Sequence, residues 1–217
     1  MKIAVLGTGM VGEALGTKLV QLGHHVTMGS RTPDNQKAAR WAKKNGINAS
    51  QGTFADAAAM SELVFVCTKG EGTLDAIHSV GAGLDDKVVV DVSNPLDFSP
   101  GMPPSLLICN TDSLGEQVQK AVPSAKVVKT LNTVNCEVMV DPARASDPTM
   151  FICGNDSGAK AKVATLLKSF GWTDIIDLGD IKSARGMEML LPAWLSLMNV
   201  IGNADFGFKI VGRRTSE

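Results

Sequence analysis

Tyrosine is missing from this chain, and only three histidines and four cysteines are present. No phenol is available as a proton donor. His24 and His25 open a predicted strand on the edge away from the strand ends, and His78 falls in mid-helix. The cysteines, Cys67, Cys109, Cys136 and Cys153, form no C-x-x-C pair and no ligand-like spacing with histidine. That pattern excludes a predicted metal site and predicts buried free thiols in a reducing compartment. A surplus of charge is also missing: 21 basic residues face 22 acidic ones, a net charge of −1. No electrostatic footprint for nucleic acid or an anionic membrane follows from that balance. Arg213 and Arg214 make a basic tail rather than a face. The longest apolar stretch, residues 187–202, is too short for a membrane span and contains Glu188, Pro192 and Asn199. No signal peptide is recognised, because the first apolar run starts at once as a strand and breaks at Gly7. The expectation is a cytoplasmic protein with no membrane segment.

What is present reads as alternating strands and helices. KIAVLG, HHVTMGS, LVFVCT, KVVVDVSN, AKVVKTLNT, TMFICGN and TDIIDLG are strand-like, with a weak additional strand at 47–50. Helices are predicted over 10–22, up to Gly46 with Pro33 in its first turn, over 54–60, 73–80 and 114–122, and to Phe170 with Ser157 as its cap. PLDFSPGMPPS reads as a loop and CEVMVDPARASDP as irregular. Unbroken apolar runs belong to parallel strands covered on both faces. The fold class is therefore α/β, a doubly wound, mostly parallel sheet of about eight strands with a short helical C-terminal appendix. The division expected is a dinucleotide-binding domain over 1–180 and a helical segment over 181–217, packed on it or on a partner. Parallel crossovers put the carboxyl ends of the strands on one edge, where ligands bind.

The first strand runs into Gly7-Thr8-Gly9-Met10-Val11-Gly12, a G-x-G-x-x-G turn opening a helix, which makes the fold Rossmann-type. Gly7 permits the tight turn, Gly9 leaves room for a pyrophosphate, and Gly12 lets helix and strand pack closely. Free amides and the positive end of the helix dipole meet the anion. Thr8 adds a hydroxyl. A site for NAD carries Asp or Glu at the end of the second strand. Here that strand ends in Ser30 and Arg31, followed by Thr32, and the nearest acid, Asp34, is assigned to the next helical turn. A guanidinium pairs with a 2′-phosphate and lies flat on adenine, and the two hydroxyls donate to the same phosphate. The reading is NADP(H), with Lys37 assisting from the next helix.

Cys67, Thr68 and Lys69 end the fourth strand, Asn94 the fifth, and Asn132 and Thr133 the sixth. Their amides and hydroxyls are candidates for fixing the nicotinamide, with turn capping as the alternative. Lys69 is the one basic residue expected there, and no catalytic acid or base is assigned. Carbonyl reduction needs a placed proton donor. Hydride transfer to a flavin or deazaflavin ring needs only that two rings be stacked and water excluded.

The segment KIAVLGTGMVGEALGTKLVQLGHHVTMGSR resembles the start of coenzyme F420-dependent NADP oxidoreductases. VVVDVSNPL, AKVVKTLNTVN, MFICGND and IIDLGDIKSARGMEMLLP are similar also to the N-terminal reductase domain of the STEAP metalloreductases. The resemblance implies a homodimer that moves hydride between NADP(H) and a small-molecule acceptor, F420, FMN or FAD. It implies contacts from Thr8, Met10, Val11, Ser30 and Arg31 to the phosphates, and from Thr68, Lys69, Asn94, Asn132 and Thr133 around the nicotinamide. Trp194, Phe206 and the C-terminal methionines are read as core and dimer surface, or as a wall of the acceptor pocket. Two other readings stay open: reduction of a small carbonyl or imine substrate, and a non-catalytic NADPH sensor.

Overall fold

Buried segments at residues 3–6, 63–66, 88–91 and 127–130 form the centre of the sheet, and the elements around them follow in regular alternation. The computed structural model describes residues 1–212. Residues 213–217, the end of the expected 181–217 segment and with it Arg213 and Arg214, lie outside the described residues. In chain order the elements are β1 (Lys2–Leu6), α1 (Met10–Gln21), β2 (His25–Ser30), α2 (Gln36–Asn45), β3 (Ala49–Thr53), α3 (Phe54–Ala59), β4 (Leu63–Val66), α4 (Thr73–Val80) and β5 (Val88–Asp91). There follow β6 (Leu96–Asp97), β7 (Ser105–Leu106), α5 (Leu114–Ala121), β8 (Lys126–Thr130), α6 (Cys136–Val140), β9 (Met150–Gly154), α7 (Ser157–Phe170), β10 (Ile175–Asp177), α8 (Ala184–Met189) and α9 (Leu191–Ile201).

The main sheet has eight strands in the order β10-β9-β8-β5-β4-β1-β2-β3. From β3 to β8 every pairing is parallel, as in Ile3↔Val26 and Ile3↔Leu63. The chain winds one way from β1 to β2 and the other way from β1 to β4, so the switch point lies between β1 and β4. Alternate residues of β1 feed the two covering layers. Ile3 and Val5 pack with Leu15, Leu19 and Trp41. Ala4 and Leu6 pack with Val64, Ile77, Leu114, Ala184 and Met187. Residues after 180 therefore share a core with the first strand.

Several local expectations are corrected. Strand β9 runs antiparallel to β8, with Val128 opposite Gly154, and β10 is parallel to β9. Their carboxyl ends thus leave the shared ligand edge, because α6 and one 3-10 turn replace a full crossover. The supposedly irregular 136–148 contains α6, capped by Asn135. Helix α2 begins at Gln36, with the Asn35 side chain accepting from the amides of Lys37 and Ala38, so Pro33 and Asp34 stay in the preceding turn. Asp156, not Ser157, caps α7 by accepting from the Ala159 amide. The proline-rich loop holds a small antiparallel pair, β6 with β7. Only Cys67 and Cys153 are buried: Cys136 opens α6 half-exposed, and Cys109 sits exposed in the loop after β7. Among the described residues no helix is long and apolar enough to cross a membrane.

Helix α8 is tied to α5 by Arg185, whose Nε and Nη2 donate to the two Glu116 carboxylate oxygens at 2.8 and 2.6 Å. Ser113, the α5 cap, donates to Glu116 as well, at 2.7 Å. These bonds, Arg185 first, hold the Glu116 carboxyl below its ordinary value of 4.5. A depressed folded value stabilises above 4.5 and loses that contribution as pH falls. Glu116→Gln should melt lower than wild type at pH 7, and the gap should narrow as pH drops from 4.5 downward. Melting curves across that range check this.

Candidate functional site

At the carboxyl end of β1 three backbone segments are forced together. Gly7 adopts φ +130°, where an added Cβ would lie 2.6 Å from the Cys67 carbonyl oxygen at the end of β4. A Cβ on Gly12 would lie 2.1 Å from the Gly7 carbonyl oxygen, so α1 can approach β1 only with glycine there. Gly9 is different. A Cβ on it would meet nothing within 4 Å, and its backbone is extended, at φ −83° and ψ −178°. The bare turn therefore faces open space in front of the α1 N-terminus. No side chain caps that terminus, so the first-turn amides of Met10 and Val11 remain free for an anion. Met10 itself is 79% exposed above the turn.

Three adjoining clefts run along this edge. One of about 340 Å³ includes Gly7, Thr8, Gly9, Ser30, Arg31, Lys37, Cys67, Thr68 and Lys69. It shares Ser30, Arg31 and Phe54 with a larger one of about 790 Å³ under Ala76, Asp75 and Ser79 of α4. A third, about 420 Å³, lies between Thr8, Gly9 and Met10 on one side and Lys37, Arg40 and Lys44 of α2 on the other. Helix α2 is seated by Trp41, whose ring fills the space beside Gly16 and whose Nε1 donates to Thr17 Oγ1 at 3.0 Å.

Ser30 is 3% exposed and donates to the Thr32 carbonyl at 2.6 Å. Its hydroxyl hydrogen thus closes the turn that carries Arg31. The Arg31 side chain is exposed and reaches toward Gly72. Arg31, Lys37, Arg40 and Lys44 make no ion pair among the described residues. Four unpaired cations flank the glycine turn, with Glu13, Glu71 and Asp75 as the acids lining the same clefts.

The strand ends further along are tightly bonded instead. Thr73 donates to the Lys69 carbonyl at 3.1 Å, which makes Thr68 the donor in the 2.9 Å contact between the two threonine hydroxyls. Gly70 lies against the Asn94 carbonyl, where a Cβ would sit 2.1 Å away. Asn94 Nδ2 donates to the Asn132 carbonyl at 2.9 Å, and Asn132 Nδ2 donates back to Asn94 Oδ1 at 3.0 Å. Asn132 Oδ1 is buried without a partner among the described residues. Thr133, beside it, is 1% exposed. Burial raises the pKa of the Cys67 thiol, with Asp91 adding to the effect, so no thiolate nucleophile is supplied.

Beneath these ends lies a group that sequence reasoning missed. Lys129, fully buried in β8, donates to Asp91 Oδ2 at 2.9 Å, Glu188 Oε1 at 2.8 Å and the Ser93 carbonyl at 2.6 Å. Burial acts to lower its pKa, but the Asp91 and Glu188 carboxylates outweigh that and raise it. The available signal was one charge inside each of three apolar runs, VVVDV, VVKTL and MEMLL. Arg40 and Lys44 were also missed. Their spacing from Lys37, three and then four residues, marks one helix face.

Comparison with known proteins identifies the family. The family described as NADP oxidoreductase coenzyme F420-dependent matches residues 2–95. The F420-dependent NADP reductase of Methanocaldococcus jannaschii is 31% identical over 206 residues, covering 91% of this chain and 92% of that protein. This chain belongs to that family. Metalloreductase STEAP3 of Rattus norvegicus is 30% identical over 200 residues, but the match covers only 38% of its length. The crystal structure of a candidate F420-dependent NADP-reductase from Arthrobacter sp. FB24 superposes with a TM-score of 0.94 at 52% identity, covering 98% of this chain and all of the other.

The residues present fit a dinucleotide diphosphate, and Gly9 provides the check. Gly9→Val should leave the melting temperature within about 1 °C of wild type, since nothing opposes the side chain. It should weaken NADP(H) binding at least about tenfold by filling the space before the α1 amides. Gly12→Ala should instead lower the melting temperature. Calorimetric titration beside thermal melting separates the two.

Proposed function

We propose that this NADP-dependent oxidoreductase passes hydride between NADP(H) and a tricyclic ring acceptor, a deazaflavin of the F420 type or a flavin (FMN or FAD). The observation that carries the acceptor class is the protonation chemistry of the strand ends. Lys129 is saturated by two carboxylates and a carbonyl, and the Cys67 thiol is held protonated. Thr68 gives its hydrogen to Thr73, and Lys69, at the same strand end, is exposed with no side-chain bond to place it among the described residues. Carbonyl or imine reduction asks for a placed proton donor, whereas a ring with its own nitrogen chemistry does not.

NADP(H), when bound, supplies or takes up the hydride. The chain's own residues hold and orient it. Gly7, Thr8, Gly9 and Gly12, with the amides of Met10 and Val11, receive the diphosphate. Arg31 and Lys37 receive the 2′-phosphate, in a turn shaped by Ser30 and Thr32. The charged side chain pairs with the phosphate and its flat face covers the adenine. Cys67, Thr68 and Lys69 line the passage across the switch point. Asn94, Asn132 and Thr133 flank the nicotinamide, with Asn132 Oδ1 accepting from its carboxamide. Residues 1–180 form the dinucleotide domain in this reading. The helical segment after it offers Leu197, Val200 and Ile201, all exposed on α9, as the surface of a homodimer.

Two measurements test the reading. Arg31→Ala should cost about 1.5–3 kcal/mol of NADP affinity and leave NAD affinity nearly unchanged. Equal losses would remove the phosphate assignment. Stopped-flow oxidation of NADPH with F420, FMN, FAD and a panel of carbonyl compounds should show turnover with a ring acceptor. Turnover confined to carbonyls would overturn the proposal.

A further inference from the structure

Asn132 is 1% exposed, yet its side-chain oxygen has no partner among the described residues. Its orientation is fixed. Both hydrogens of Nδ2 are used, one on Asn94 Oδ1 at 3.0 Å and one on the Met187 carbonyl at 3.1 Å. Flipping the amide would set Oδ1 against two acceptors. The lone acceptor is thus held in place by its neighbours, and leaving it unmade costs the fold free energy.

The bonds that hold it close into a ring. Met187 adjoins Glu188, and Glu188 Oε1 accepts from Lys129 Nζ at 2.8 Å. Lys129 donates to the Ser93 carbonyl at 2.6 Å, and Ser93 adjoins Asn94. Asn94 exchanges two bonds with Asn132, which returns to Met187. An ammonium has three hydrogens, and the third goes to Asp91 Oδ2 at 2.9 Å. The carboxylates are anchored in turn. Glu188 accepts from the amides of Leu114 and Gly115 at 2.9 and 3.0 Å, and Asp91 Oδ1 accepts from Ser93 N and Oγ at 2.9 and 2.6 Å. Two strands and one helix are locked at a single buried point, and the one polar atom of the ring left over is Asn132 Oδ1.

We propose that Lys129 is a positioning residue for hydride transfer: through the Ser93–Asn94 and Met187–Glu188 links it aims Asn132 Oδ1 as the acceptor for the nicotinamide carboxamide. The inference rests on the proposed placing of the nicotinamide at Asn132 and adds the element that fixes it. A buried ion cluster is weak evidence for stability alone, since apolar residues of similar volume often serve as well. A residue that orients a ligand atom must show it in ligand discrimination.

The test measures binding of NADP, NAD and the 3-acetylpyridine analogue of NADP, whose methyl ketone keeps the carbonyl but lacks the amide hydrogens. Isothermal titration of wild type, Lys129→Met and Glu188→Gln is used, with thermal melting beside it. Wild type should bind the analogue roughly tenfold more weakly than NADP. In both variants that ratio should fall to within about twofold, while preference for NADP over NAD persists. Glu188→Gln keeps the Lys129–Asp91 pair neutral and decides the matter if Lys129→Met does not fold. Variants that discriminate as wild type does, or that weaken all three dinucleotides equally, overturn the positioning role and leave a structural one. A wild type with no discrimination overturns the placing of the carboxamide at Asn132 and this inference with it, while the Arg31 assignment stands on its own test.

Discussion

One ammonium surrounded by two carboxylates and a carbonyl fixes how two strands and a helix meet beneath the strand ends of the sheet. Lys129 is fully buried, as is Asp91, and Glu188 is 1% exposed. Isolated, any of the three charges would be far too costly to bury. Together they are tolerable only at bonding distance, and that condition fixes β5, β8 and α8 relative to one another. The amides at the start of α5 complete the balance by donating to Glu188, at a helix end where negative charge is favoured. Displacement of any one element would leave a buried charge unpaired, so the cluster acts as a register pin more than as a source of net stability.

The two halves of the cleft edge treat charge in opposite ways. Around the glycine turn Arg31, Lys37, Arg40 and Lys44 stand without carboxylate partners among the described residues, and the α1 amides face open space. Mutual repulsion among such cations is relieved by an arriving polyanion, and it also steers one from a distance. At the strand ends of β5 and β8 the logic reverses. Every hydrogen of Lys129 is spent, the thiol beside the switch point is held neutral, and amides meet amides. A dinucleotide phosphate carries its charge at one end and its reacting ring at the other. The proposed placing sets the free cations against the first, and against the second the bonded strand ends, where Lys69 alone stands exposed and Lys129 is buried against two carboxylates.

Much of this was legible before the fold was known. The glycine turn announces itself because Gly7 and Gly12 are sterically obligatory, and Arg31 stands out because a carboxylate is expected at its position. The unbroken runs of β4 and β5 signal a covered parallel sheet. Other features leave no local trace. The direction of β9 depends on the path taken by residues 131–149, and a strand reads the same whichever way it runs. Lys129 looks like an ordinary member of an alternating strand until its partners, 38 and 59 residues away by position in the sequence, are brought beside it. Lone charges in separate apolar runs have meaning only as a set, and no spacing rule joins them.

The same cluster bears on how the C-terminal segment relates to the rest. Met187 and Ala184 pack in one core layer with Ala4 and Leu6 of the first strand, and Arg185 grips Glu116 from the same short helix. Glu188 then supplies the second carboxylate to Lys129, and the Met187 carbonyl the second acceptor to Asn132. An appendix that merely covered a finished domain would need only apolar contact. This one contributes polar atoms that the strands cannot provide for themselves, because β5 and β8 together offer Lys129 one carboxylate and one carbonyl for three hydrogens. The alternation of strands and helices therefore builds the cleft, but the bonded ring beneath the ends of β5 and β8 is completed only when the chain returns, after residue 180, to close it.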